Sequence, residues 1–298
     1  MKKTIWKWAC LIGVAVLLSG CSFMGLSFGQ NREEKLSGQT EKKSLEGKAT
    51  YLTVERISLL NQKTQVKLCR DGGAARVEIE APSDLMDRIS VSFSGKQLKI
   101  QGPSGVSFMS PAPVGITLYN NDFTTLIFAG ACHAESEIDL GKAEEKLSIR
   151  LSGASSLTAP SLSGSEITLD MSGASNLHTK ALSSNKLKID LTGASRAALE
   201  KAQVSEDCDW HISGASTLLA DGKGSSIFAV IAGASKVQAR DFELTKTILT
   251  VSGASTLECF VTESLGGSIS GSSHIYYRGD PELVTSVTGV STVEKISD

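Results

Sequence analysis

Asp170 and Asp190 each stand three residues before a glycine in a recurring Ser/Thr-Gly-Ala-Ser phrase. If the chain returns once per phrase, the two carboxylates lie on adjacent strands about 5 Å apart, a separation that suits a retaining glycosidase pair or a cation. The competing reading is a solvent-facing column, in which Arg150 and His211 occupy the same place before their own glycines and offset the two acids. The flanking charges favour that second reading. The phrase itself carries a hydroxyl next to glycine, but it is not a nucleophile elbow, because Leu157, Leu177 or Ala197 stands where Gly-x-Ser-x-Gly needs its last glycine. Glu206, Asp207 and Asp209 form the densest acidic knot, and without a glycine to make an EF-hand-like turn they read as a hydrated insertion. His133, His178, His211 and His274 share no ligand spacing with the cysteines, so no metal site and no cofactor are expected. Tyr276 and Tyr277 are neighbours, so a strand must turn one ring outward, and they are the candidate contact residues. A ring covering the C-terminal end of a core is the plainer role for them.

What must position these residues is a repeat. Glycines 130, 153, 173, 193, 214, 233, 253, 271 and 289 mark copies spaced by about 20 residues, the sign of a solenoid. Two residues before the glycine the chain is apolar in every full copy, from Leu151 and Met171 to Ile269 and Val287. Four residues after it stand Leu157, Leu177, Ala197, Leu218, Val237, Leu257, Ile275 and Val293. Period-two alternation on both sides of a small-residue corner predicts half-buried strands. A third apolar site, at Leu162, Leu182 and Phe242, predicts two or three strands per coil. Stacked corners about 4.8 Å apart exclude bulk. They also align Cys132, Ser155, Ser175, Ser195, Ser216, Ser235, Ser255, Ser273 and Ser291 in one structural column, read as a ladder of hydroxyls bonding along the stack with a small buried thiol at its start.

The leucine-rich frame is absent, the aspartates of calcium-binding nonapeptide coils are replaced by serine, and alternate copies do not differ as propeller blades would. The fold expected is therefore all-β, a right-handed parallel β-helix with coils of about 20 residues. It should form a single domain over residues 49–298, with irregular coils at 49–126 acting as a cap and regular coils at 127–298. Cys132, Cys208 and Cys259 lie too far apart in the stack to pair and are expected as buried thiols, while Cys69 is undecided.

Ahead of this body, residues 1–20 read as a lipoprotein signal peptide. Lys2, Lys3 and Lys7 precede an apolar run too short to span a bilayer, and Leu18-Ser19-Gly20-Cys21 resembles a lipobox that places acylation on Cys21. Residues 21–48, Gly, Ser, Gln, Glu and Lys rich without periodicity, read as the lipidated cysteine and a flexible tether. Without the three leading lysines the formal charge moves from -2 to -5, and with no basic cluster to offset it, nucleic acid is not an expected partner.

The layout is similar to the putative auto-transporter adhesin, head GIN domain family of bacterial envelope proteins. The likeness rests on the lipobox ending at Cys21, the strand Tyr51 to Leu60, the strand-turn-strand from Ile89 to Ile100, the Ser-Gly-Ala-Ser coils, and the close Ile275-Tyr-Tyr-Arg-Gly-Asp-Pro281 followed by Val287-Thr-Gly-Val-Ser291. The resemblance implies a β-helical fold and a surface or adhesion role, and brings no catalytic residues. The expected function is a non-enzymatic lipoprotein of the bacterial cell envelope, held to a membrane at Cys21, that serves adhesion, surface presentation or envelope organisation, with a surface glycan or a protein as its ligand. The alternative is a β-helical carbohydrate-active enzyme using Asp170 and Asp190.

Overall fold

The computed structural model describes residues 32–297. The signal peptide and Cys21 lie outside the described residues. The regular coils begin with β10 (Thr125–Gly130) and β11 (Cys132–Ser136), which flank the first corner glycine. They continue through β12 (Leu140–Gly153), β13 (Ser156–Ala159), β14 (Leu162–Met171), β15 (Asn176–Thr179) and β16 (Leu182–Leu191). From there each strand bends through most of a coil: β17 (Arg196–Ile212), β18 (Thr217–Ile231), β19 (Lys236–Val251) and β20 (Thr256–Ile269). The stack closes with β21 (His274–Arg278), β22 (Glu282–Val287) and β23 (Thr292–Lys295). All pairings among these strands are parallel, giving a β-solenoid of about 9 turns.

Register explains the core. Leu147, Ile167, Leu187, Cys208, Ile227, Thr247, Leu265 and Leu283 are successive partners on one inward column. A second inward column runs from Leu151 through Met171, Leu191, Ile212, Ile231 and Val251 to Ile269. Leu140, Leu162, Leu182, Ala202, Gly222 and Phe242 align on a third side, so each coil has three faces. Size is traded between neighbours in a column, as close packing requires. Trp210 is followed by Ala229, and Gly222 by Phe242, whose ring lies 5.7 Å from that of Trp210.

The irregular N-terminal strands stack on the same body, but out of chain order. β1 (Arg32–Lys35), β2 (Thr40–Glu46), β3 (Tyr51–Glu55), β4 (Thr64–Cys69) and β5 (Arg76–Pro82) come first, followed by the single helical turn α1 (Ser83–Met86). Then come β6 (Ser90–Ser94), β7 (Gln97–Gln101), β8 (Val106–Met109) and β9 (Gly115–Tyr119). β3 is sandwiched between β10 and the later strand β7, and β4 between β11 and β9, all in parallel. β5 and β6 then add antiparallel to β9 and β7. One expectation needs correcting. Part of the segment read as a flexible tether, 21–48, is built into the fold: β2 pairs antiparallel with β5 over its whole length, and Leu36 is buried with its amide donating to the Met109 carbonyl. The segment lacked periodicity because β2 lies on the surface at six of its seven positions, with only Leu45 turned partly inward. An edge of β5, distant in sequence, makes it a strand.

Candidate functional site

At each corner the glycine sits at a φ between 73° and 97°, which side-chain-bearing residues rarely adopt. The next amide donates to the glycine carbonyl one coil back, as Ala174 does to Gly153 at 2.7 Å and Ala215 to Gly193 at 2.7 Å. A methyl added to Gly193 would stand 2.6 Å from the Gly173 oxygen, so the exclusion of bulk comes from the backbone of the neighbouring coil. The serine column is buried from Ser155 to Ser273, but its bonding differs from the ladder expected. Ser155, Ser195, Ser216, Ser235 and Ser255 each donate to the carbonyl three residues earlier in their own coil, at 2.7 to 3.0 Å. Links between coils are longer, at 3.1 to 3.4 Å: Ser155 donates to the Phe128 carbonyl, Ser255 to Gly233 and Ser273 to Gly253, Ser175 meets Ser195, and the Ser273 amide donates to the Ser291 hydroxyl. The tight turn brings a carbonyl of the same coil closer than any hydroxyl of the next, so the serines close corners. Their hydroxyls are buried and committed, which removes them as nucleophiles.

The thiols behave as small apolar groups. Cys69, Cys132, Cys208 and Cys259 are free and buried. Burial pushes the thiols of Cys132, Cys208 and Cys259 up to about 12, far from a reactive thiolate.

Asp170 and Asp190 are register partners on β14 and β16, in an outward column that runs Arg150, Asp170, Asp190, His211, Val230 and Thr250. Arg150 donates to Asp170 at 2.7 Å, and both side chains are partly exposed. A carboxyl pair for glycoside cleavage works inside a cleft that surrounds the sugar, and this column lies on an open sheet face. The acidic knot is similarly occupied: Asp207 accepts from Ser226, Glu206 pairs with Lys186, and Asp209 lies 3.4 Å from His211. The histidines bond to separate neighbours, His133 to Ser156, His178 to Glu200 and His274 to Thr292. Among the described residues, three or more His, Cys, Asp or Glu side chains nowhere gather as metal ligands would. Where Arg70 and Lys142 do converge on Asp122, holding its carboxyl below the usual range, a cavity of about 40 Å³ lies on one side and a more open groove of about 470 Å³, lined by Lys48, Lys96, Asp122, Lys142 and Glu145, on the other.

The tyrosine expectation divides. Tyr276 faces outward, half-buried, with its ring stacked 6.5 Å from His274, whereas Tyr277 is 9% exposed and belongs to the core. Only Tyr276 remains available for contact.

A larger surface was missed by looking for tryptophan and tyrosine platforms. The outward column five residues before the glycine reads Ser148, Thr168, Lys188, Asp209, Phe228, Ile248, Gly266 and Val284. Its first half belongs to a charged lattice, in which Lys146 and Lys188 both bond Glu166 and hold that carboxyl below its usual range. After Asp209 both outward columns lose every charge: Phe228 and Val230, Ile248 and Thr250, Gly266 and Ser268, Val284 and Ser286. Phe228, Ile248 and Val284 are 46%, 59% and 61% exposed. Asp207, Asp209 and Lys246 rim a shallow groove of about 400 Å³ beside Phe228 and Ile248. Period-two alternation, already used to place the core, was signal enough to find these residues, since the position next to an inward Ile227 must face out.

No curated protein sequence matches the chain. A family model described as putative auto-transporter adhesin, head GIN domain matches residues 55–206 and 168–281. Among solved structures, a putative adhesin from Parabacteroides merdae ATCC 43184 is similar over 89% of this chain and 100% of its own length, with a TM-score of 0.61 and 13% identity. A putative adhesin and a putative lipid binding protein, both from Parabacteroides distasonis ATCC 8503, cover the same shares with TM-scores of 0.64 and 0.65 at 14% and 16% identity. At these identities the likeness establishes the fold.

Proposed function

Because the chain belongs to the putative auto-transporter adhesin, head GIN domain family, we propose that it is a non-enzymatic envelope lipoprotein of a bacterium, anchored at Cys21, whose rigid solenoid presents a contact face for adhesion. The observation that carries this reading is the switch on one sheet face from paired charges to the uncharged columns holding Phe228 and Ile248. Exposed apolar side chains rimmed by polar ones mark contact surfaces, and a stack of identical corners gives that surface little freedom to move. Descriptions of the solved neighbours as putative adhesins support the same role. The lipobox supports a membrane anchor, and no helix among the described residues is long and apolar enough to cross a membrane.

A screen of the chain against immobilised glycans and extracellular matrix proteins tests the reading. Phe228→Glu and Ile248→Glu should each lower binding at least tenfold, because either carboxylate would be desolvated on contact, while the fold is retained. Asp170→Asn and Asp190→Asn should leave binding unchanged. Turnover of a polysaccharide that both Asn variants abolish would overturn the non-enzymatic role, and binding that survives both Glu variants would overturn the contact face. A Cys21→Ser chain that still fractionates with membranes like the parent would overturn the anchor.

A further inference from the structure

The two ends of the stack differ in how their strand edges are treated. At the N-terminal end, β7 and β9 are the outermost parallel strands, and antiparallel β6 and β5 cover them, with β2 beyond β5. The outer strands there carry Glu41, Lys42 and Lys43 on β2 and Ser90, Ser92 and Ser94 on β6, residues that discourage further pairing. At the C-terminal end, β22 and β23 pair inward with β20 and β21, and among the described residues no further strand pairs beyond β22. That end is apolar. Leu265 and Ile269 are 0% and 1% exposed, yet Leu283 and Val287, next in the same inward columns, are 45% and 43% exposed. Val284 and Val290 lie beside them, so four of the nine exposed large apolar side chains of the described residues gather on this one coil.

The geometry points to a second copy of this chain as the occupant: two solenoids join through their C-terminal ends about a two-fold axis, with β22 on the axis paired antiparallel to its counterpart. An end of this kind accepts a strand edge backed by apolar columns. Within this chain the same end supplies one, while the covered N-terminal end does not. Head-to-tail stacking into filaments is thereby disfavoured and a closed pair favoured. Side-chain parity then selects the register. Centring the axis on Thr285 sets Leu283 opposite Val287 and Val284 opposite Ser286, inward against inward and outward against outward. A shift by one residue would set inward Leu283 against outward Ser286. A six-residue strand spans about 20 Å, and a square of that side would bury about 400 Å² per copy, about 800 Å² in the pair. That is below the standard interface, so the dimer should be weak and reversible.

Analytical ultracentrifugation of the full chain in non-denaturing detergent, over a wide range of concentrations, should show a monomer–dimer equilibrium. Val284→Lys and Leu283→Lys, both at exposed positions, should each weaken it at least tenfold with an unchanged circular dichroism spectrum, whereas Phe228→Glu should leave it intact. In a background with Cys10 and Cys21 changed to Ser, Thr285→Cys should form a covalent dimer under mild oxidation, because residues on the axis meet within disulfide reach, and Ser44→Cys on β2 should not. A monomer at every concentration, a dimer indifferent to both Lys variants, or a cross-link at Ser44 in place of Thr285 would overturn the proposal. The Phe228→Glu arm separates this interface from the contact face proposed above.

Discussion

Gly193 shows what a single residue contributes to this fold. Its φ of 75° and the Gly173 oxygen 2.6 Å from the place of a would-be methyl exclude every side chain twice, once by the backbone and once by the coil beneath. Gly130 shares the positive φ, at 97°, but has nothing within 4 Å of that place. Gly130→Ala should therefore cost about 1–2 kcal/mol from conformation alone, and Gly193→Ala should cost more. Chemical denaturation of the two variants checks this; equal losses would mean that stacking adds nothing to the glycine requirement. The glycine requirement was legible in the sequence because it recurs. The serines were only half legible: their burial follows from alternation, but whether Ser195 reaches for the next coil or for Thr192 in its own depends on turn geometry that residue types do not encode.

Strands here are useful only as members of columns. β14 and β16 pair without a register shift along their length, so each outward residue keeps its neighbour from the coil before. Stability in such a stack is close to a sum over coils and their interfaces. Deleting residues 173–192, one coil from glycine to glycine, joins Ser172 to Gly193 and preserves every column. That chain should fold, with a lower melting temperature. Deleting only residues 173–182 removes half a coil, turns core residues outward and should abolish cooperative unfolding. Thermal melts followed by circular dichroism distinguish the two, and equal behaviour would contradict the column account. The face bearing Phe228 and Ile248 belongs to this scale as well, since neither residue is conspicuous until its column shows Lys188 and Asp209 on one side and Val284 on the other.

Across the whole molecule the core is continuous, from Ile100 at one end to Ile275 near the other, and buried thiols punctuate it at Cys132, Cys208 and Cys259. Burial raises these thiols from about 9, the ordinary value of a cysteine in water, to about 12, so above pH 9 the unfolded chain releases protons that the folded chain retains. Their contribution is fully present below pH 9 and is lost as pH rises towards 12, by up to about 1.4 kcal/mol per thiol for each pH unit. Denaturant midpoints at pH 8 and pH 10 should differ in that direction, and Cys208→Ala should reduce the difference; a midpoint indifferent to pH would contradict it. The sequence by itself determined the solenoid, its coil length, its corners and its inward columns, because a periodic chain repeats the same steric and burial demands until only one stacking satisfies them. Tertiary structure alone decided that β3 lies between β7 and β10, that Thr40–Glu46 becomes a strand on β5, and that one end of the stack is sheathed while Leu283 and Val287 stand open at the other. Those outcomes depend on pairing between segments that share no period, where the partner, not the local pattern, determines the conformation.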